Sequence, residues 1–117
     1  MIRILVNGSN GKMGQEVIKL ISKSNDFYLF GGLDRCKKDN LSYRTYSSIG
    51  ELSSSVDKPD VIVDFSVPEA SFAIINYAKK FNVPTVIATT GFSKNEQDEI
   101  IEYSRSFPIF QSANMSF

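Results

Sequence analysis

At 117 residues, the chain has one domain's worth of core, since a chain of this size hides about two-thirds of its unfolded surface on folding. Apolar residues make up 42% and charged residues 22%, and thirteen Lys and Arg balance thirteen Asp and Glu; this excludes a disordered chain and leaves no net field for a phosphate backbone or an anionic membrane. The absence of histidine excludes Ser-His and Cys-His nucleophile pairs, His-ligated zinc and imidazole acid–base catalysis.

Neither nucleic acid nor a membrane is therefore an expected partner. The lone cysteine, Cys36, cannot close an intrachain disulfide and reads as an incidental loop thiol. No stretch approaches the roughly 18 apolar residues of a membrane span, and no basic leader precedes Ile2-Arg3-Ile4-Leu5-Val6. The expected location is cytoplasmic.

Strand-length apolar runs alternate with segments of helical period, the signature of a parallel sheet covered by helices. Ile2 to Val6 reads as a strand buried on both faces, followed by a glycine-rich turn. Met13, Val17, Leu20 and Ile21 recur at helical spacing and predict a helix ending in the polar stretch Ser22 to Asp26. Phe27 to Phe30 is a second strand that closes at Gly31-Gly32-Leu33-Asp34. Arg35 to Ser48 is a polar loop with a short extended piece near Tyr43 to Tyr46, and Ile49 to Val56 is a short helix.

Asp60 to Phe65 is a further buried strand flanked by carboxylates. Ser66, Pro68 and Glu69 then form a capping box with proline in the first turn, which predicts a helix. Ala70, Ala73, Ile74, Tyr77, Ala78 and Phe81 supply its apolar face, and Asn82 marks its exit. Thr85 to Ala88 is the fourth strand, and Ser93 with Glu96 makes a second capping box. Ile100, Ile101 and Ser104 line the helix after it, and Pro108 to Phe110 is a fifth strand. The expected fold is α/β over residues 1–117: a doubly wound parallel sheet of five strands and about four helices.

Gly8-Ser9-Asn10-Gly11-Lys12-Met13-Gly14 lies between a predicted strand and a predicted helix, the place where a dinucleotide fingerprint works. Gly8 would allow the tight turn, Gly11 a close approach of backbone to pyrophosphate, and Gly14 close packing of helix on strand. The pyrophosphate would rest on the helix N-terminus, held by free N–H groups and the helix dipole. The spacing is G-x-x-G-x-x-G rather than the commoner G-x-G-x-x-G. Asp34 follows Gly14 by 20 residues, at the position where a carboxylate accepts hydrogen bonds from an adenosine ribose. Arg35 beside it would hold a 2′-phosphate bidentately, with Lys37 and Lys38 adding charge, so the pair predicts use of either NADH or NADPH. A solvated Asp-Arg turn is the structural alternative.

Two competing motifs fail. A P-loop needs Ser or Thr after Gly-Lys and a glycine five positions before the second, whereas Lys12 is followed by Met13 and the earlier position is Val6. A Tyr-x-x-x-Lys pair is also missing, because Tyr77 has Lys79 and Lys80 at the wrong spacing and reads as core. Ala88-Thr89-Thr90-Gly91-Phe92 and Ser112-Ala113-Asn114-Met115-Ser116 lie at strand C-termini, where open parallel sheets bind ligands, and would suit a nicotinamide ribose and carboxamide. On spacing alone they are equally compatible with ordinary loops.

Taken together and in order, the glycine loop, Asp34-Arg35, Asp64-Phe65-Ser66-x-Pro68-Glu69, Thr89-Thr90-Gly91-Phe92 and Ser112 to Ser116 resemble 4-hydroxy-tetrahydrodipicolinate reductase (dihydrodipicolinate reductase). That family reduces the cyclic product of aspartate semialdehyde and pyruvate with NADH or NADPH, on the route to diaminopimelate and lysine. The resemblance implies cofactor contacts at Gly8, Ser9, Asn10, Gly11, Lys12 and Met13, at Asp34 and Arg35, at Ala88, Thr89 and Thr90, and at Ser112, Ala113, Asn114 and Met115. Lys12 stands where Arg is common and Ala88 where Gly is common. The family is about twice this length, forms homotetramers through a second domain, and carries there a catalytic His and Lys beside a Ser-Gly-Thr segment. The resemblance therefore implies a cofactor-binding half with no catalytic residue of its own and a small-molecule substrate that needs the other domain. A non-catalytic NAD(P)-sensing or partner-binding module is the rival expectation.

Overall fold

In a computed structural model that describes residues 1–35 and 42–111, the N-terminal apolar run forms β1 (Ile2–Asn7) at the centre of a parallel sheet. The chain continues through α1 (Lys12–Lys23), β2 (Phe27–Leu33), β3 (Thr45–Tyr46), α2 (Ile49–Ser53), β4 (Val61–Asp64), α3 (Pro68–Phe81), β5 (Thr85–Ile87), α4 (Lys94–Ser104) and β6 (Ile109–Gln111). Strand order is β3-β2-β1-β4-β5-β6, with every described pairing parallel. This is the expected doubly wound α/β architecture, with six strands rather than five, because the extended piece near Tyr46 pairs with Gly32 and Leu33.

Alternation along β1 divides the core between the two faces of the sheet. Ile4 and Val6 pack with Ile18 and Ile21 of α1. Leu5 points the other way, into a larger cluster with Leu52 of α2, Ile62 of β4, Ile74 and Ile75 of α3, and Ile100 of α4. Leu5, Val6, Ile62 and Ile74 are fully buried, and full burial of such a side chain is worth about 1.5–3 kcal/mol.

The helices depart from the predicted faces in instructive ways. In α1 the buried positions are Gly14, Ile18 and Ile21, whereas Met13 and Leu20 are 57% and 69% exposed. Gly14 must face the preceding loop, and the i, i+4, i+7 stripe that starts from it turns Met13 and Leu20 outward. In α3 the inward residues are Ser71, Ile74, Ile75, Tyr77 and Ala78, while Ala73 is exposed and Ala70 half-buried. The first predicted capping box does not form: Val67 is the N-cap of α3 with no side-chain cap. The hydroxyl of Ser66 is bonded instead to the carboxylate of Asp64. The second is present in full, with Ser93 Oγ accepting from Glu96 N–H and the Glu96 side chain accepting from Ser93 N–H. Asn82 ends α3 in the left-handed region at φ 54°. No helix among the described residues is long and apolar enough to cross a membrane.

Candidate functional site

The chain leaves β1 through α1 on one face of the sheet and leaves β4 through α3 on the other. Their C-terminal ends therefore diverge, and a cleft opens at that switch point, where open α/β sheets bind ligands. Its volume is about 480 Å³, and it is walled by the glycine-rich loop, the end of β2, the β3–α2 turn and the start of α3.

The loop that forms the first wall is shaped by two glycines. Gly8 adopts φ +82°, and a Cβ there would overlap the Phe65 carbonyl. A Cβ on Gly14 would overlap the Gly8 carbonyl oxygen, so only glycine lets the first turn of α1 close onto the loop. Backbone bonds fix the rest: Gly8 N–H and Ser9 N–H both donate to Leu33 O, and Gly11 N–H donates to Gly8 O. The Gln15 amide donates to Ser9 O at 2.6 Å and to the Tyr43 hydroxyl at 3.1 Å. Asn10 N–H donates to Asp34 Oδ2 at 3.0 Å.

The N-terminus of α1 is suited to an anion. Gly11 is its N-cap and supplies no side-chain cap, and the first turn holds no acidic residue. The other three described helices each carry a glutamate in the first turn, Glu51, Glu69 and Glu96. Acidic side chains offset the positive end of a helix dipole; at α1 no residue of the first turn does so, and the nearby Asp34 carboxylate is bonded to Asn10 N–H ahead of the N-cap.

The opposite wall was not assigned from sequence. Phe65, Ser66 and Val67 follow β4 directly and line the cleft, with Ala70 and Ala73 one and two turns further along α3. The signal for them was present: they occupy the same edge position after β4 that the glycine loop occupies after β1. The turn before α2 adds Ser47, Ser48 and Ile49.

The expected site residues fall into four groups. Gly8, Gly11, Asp34 and Arg35 line the cleft. Ser9 and Asn10 belong to the same loop, with Ser9 buried, and Lys12 and Met13 are exposed in the first turn of α1. Ala88, Thr89 and Thr90 follow β5 and do not line this cleft; Thr89 is only 3% exposed, with its hydroxyl engaged inside the protein. Ser112, Ala113, Asn114 and Met115 lie outside the described residues, as do Cys36, Lys37 and Lys38.

Residues 2–115 match the family model described as dihydrodipicolinate reductase, N-terminus. The chain is 36% identical over 116 residues to the 4-hydroxy-tetrahydrodipicolinate reductase of Clostridium novyi, covering 99% of this chain and 45% of that protein. It is 40% identical to the reductase of the same name from Caldanaerobacter subterraneus, with the same coverage. Among solved structures, a dipicolinate-bound dihydrodipicolinate reductase from Paenisporosarcina sp. TG-14 superposes with a TM-score of 0.72 at 27% identity, covering 89% of this chain and 43% of that one. A homoserine dehydrogenase from S. aureus gives a TM-score of 0.74 at 18% identity over 96% of this chain and 32% of that one, a likeness of fold alone. The chain thus spans less than half the length of these relatives.

Proposed function

The chain belongs to the N-terminal family of dihydrodipicolinate reductases, and from that membership we propose that it is the dinucleotide-binding part of such an enzyme, taking NADH or NADPH in the cleft between the β1–α1 loop and the start of α3. The observation that carries this reading is the uncapped, acid-free N-terminus of α1 behind a loop closed by Gly8 and Gly14. A pyrophosphate needs such a place: backbone N–H donors, a positive dipole end and no side chain in the way.

Each wall then has a task. The N–H groups at the start of α1 hold the pyrophosphate, and Lys12 in that turn adds a positive charge beside it. Asp34 faces the adenosine ribose, and Arg35 is exposed at the end of β2, where a 2′-phosphate would lie. Leu33, Ile49, Ala70 and Ala73 offer an apolar slot of small and branched side chains, suited to a flat purine. Phe65 to Val67 line the side of the cleft toward which the nicotinamide would point, and Ala88 to Thr90 and Ser112 to Met115 are assigned to the nicotinamide only by the family resemblance of their sequence.

When bound, the nicotinamide ring supplies a hydride. The residues of this chain position and desolvate it, and with no histidine in the chain none of them is assigned as a proton donor. Reduction of 4-hydroxy-tetrahydrodipicolinate would thus require groups beyond these 117 residues, and the purified chain is expected to bind cofactor without turning over substrate. Calorimetric titration of the purified chain with NADH and with NADPH at one moderate salt concentration tests the reading. Saturable 1:1 binding supports it, and no binding to either by a folded sample overturns it for the chain alone.

A further inference from the structure

Four elements meet at one buried carboxylate that lies behind the cleft. Asp64, the last residue of β4, is fully buried. Its Oδ1 accepts from Asn7 Nδ2 at 2.9 Å and from Ser66 Oγ at 2.5 Å. Its Oδ2 accepts from Thr89 Oγ1 at 2.8 Å and from Ser71 Oγ. The donors come from the end of β1, the turn after β4, the second turn of α3 and the segment after β5. Together they fill the four acceptor positions a carboxylate offers.

All four donors are neutral, which sets this group apart from a buried ion pair. Taking a carboxylate out of water is costly, and well-packed apolar residues of similar volume join strand ends at less expense. Stability therefore does not account for an acid here, but geometry does. The Thr89 hydroxyl, held by its bond to Asp64, accepts from Ser66 N–H at 2.9 Å. The Asp64 main-chain oxygen accepts from Ala88 N–H at 2.9 Å. Asn7, one residue before the glycine loop, and Ser66, in the opposite wall, are thereby referred to the same two oxygens.

We infer that Asp64 is a positioning residue for dinucleotide binding: through Thr89, Ser66 and Asn7 it presets the gap between the glycine loop and the β4–α3 turn. Thr89 then acts as a strut between Asp64 and Ser66 rather than through a hydroxyl offered to the ligand. The inference rests on the proposed reading of the cleft.

The test compares Asp64→Asn, Thr89→Val, Thr89→Ser and the double variant Asp64→Asn/Thr89→Val in the 117-residue chain. Readouts are the Kd for NADH, measured well below each melting temperature, and amide hydrogen exchange at Ser66 and Ala88. The Asn variant turns an N–H group toward hydroxyls that now donate, and the Val variant removes the strut. Each is expected to raise the Kd roughly tenfold, the scale of one buried polar group losing its partner. Thr89→Ser, which restores the hydroxyl, recovers most of that affinity, and the double variant is little worse than either single one, because all act along one path. A purely structural role lowers the melting temperature and leaves the Kd of the folded protein at its wild-type value; that result, or fully additive losses, overturns the inference. If Asp64→Asn does not fold, the Val and Ser variants of Thr89 decide by the same criteria. If the wild-type chain binds no NADH, the cofactor reading fails separately, and exchange decides: a rise at Ser66 in Asp64→Asn and Thr89→Val beyond that of the β-strand amides, reversed in Thr89→Ser, supports the preset gap, and a rise matched across the sheet, or none, overturns it.

Discussion

The Asp34 carboxylate accepts the backbone N–H of Asn10 at 3.0 Å, joining the end of β2 to the tip of the glycine-rich loop. A residue expected to face a ribose thus also holds the loop that faces the pyrophosphate. Replacing Asp34 with Ala should weaken NADH by about 1–3 kcal/mol, since the ribose contact and the Asn10 contact are both lost, and NADPH by less, since its 2′-phosphate leaves Asp34 no 2′-hydroxyl to accept from. Asp34→Asn retains an acceptor for Asn10 N–H and should cost less. Calorimetric Kd values for the two variants check the order.

Arg35 should behave differently. It is exposed beside Asp34 at the edge of the cleft, where its guanidinium would meet a 2′-phosphate but nothing comparable in NADH. Arg35→Ala should therefore weaken NADPH more than NADH by about 1–3 kcal/mol, the worth of a charge-assisted contact. Equal losses for the two cofactors would show that Arg35 does not read the phosphate.

Gly14→Ala tests the loop sterically. In a helix interior this change ordinarily stabilises, by about 0.5–1 kcal/mol. Here the added Cβ meets the Gly8 carbonyl oxygen, a backbone atom that cannot turn aside, so the sign should reverse to a loss of about 1–3 kcal/mol. Gly50→Ala in α2 is the control, because the nearest atom to its Cβ is Ser48 Oγ at 3.8 Å, an ordinary contact. Thermal melts of the two variants should move in opposite directions.

Tyr77 contributes a pH dependence on the alkaline side. Burial, with a smaller contribution from nearby Tyr46, pushes its hydroxyl up from 10.0 to about 12. The folded state therefore holds a proton that the unfolded chain releases earlier. The resulting stabilisation is fully present below about pH 10 and is lost as pH rises from there through 12. Among the described residues, neither the Tyr77 nor the Tyr46 hydroxyl has a hydrogen-bond partner. Tyr77→Phe should accordingly stabilise the protein at pH 7 by about 1 kcal/mol and flatten the loss of stability between pH 10 and 12. Urea unfolding at pH 7 and across the alkaline range measures both effects, and a variant that is less stable at pH 7 would contradict the prediction.

The sheet was legible because its strands are short apolar runs, buried on both faces along most of β1, a pattern that survives without knowledge of partners. Gly8 and Gly14 were legible from their spacing between a strand and a helix, although only the contact of Gly14 with the Gly8 carbonyl is local and that of Gly8 is with Phe65 after β4. The face of α1 was not, since the choice of Ile18 over Leu20 depends on Gly14 docking against the loop. Ser66 looked like an N-cap because Pro68 and Glu69 follow at capping-box spacing. Its hydroxyl is taken by Asp64, and that competition is visible only once Asn7, Ser71 and Thr89 converge from distant parts of the chain. Phe65 to Val67 went unassigned because no glycine marks that wall.

The central claim is that a dinucleotide lies between the α1 N-terminus and the β4–α3 turn. Amide chemical-shift mapping of the isotopically labelled chain titrated with NADH tests this most directly. The account predicts saturable shifts at Gly8 to Met13, Asp34 and Phe65 to Val67, with α4 unmoved. Saturable shifts that leave the glycine loop and the β4–α3 turn untouched would contradict it.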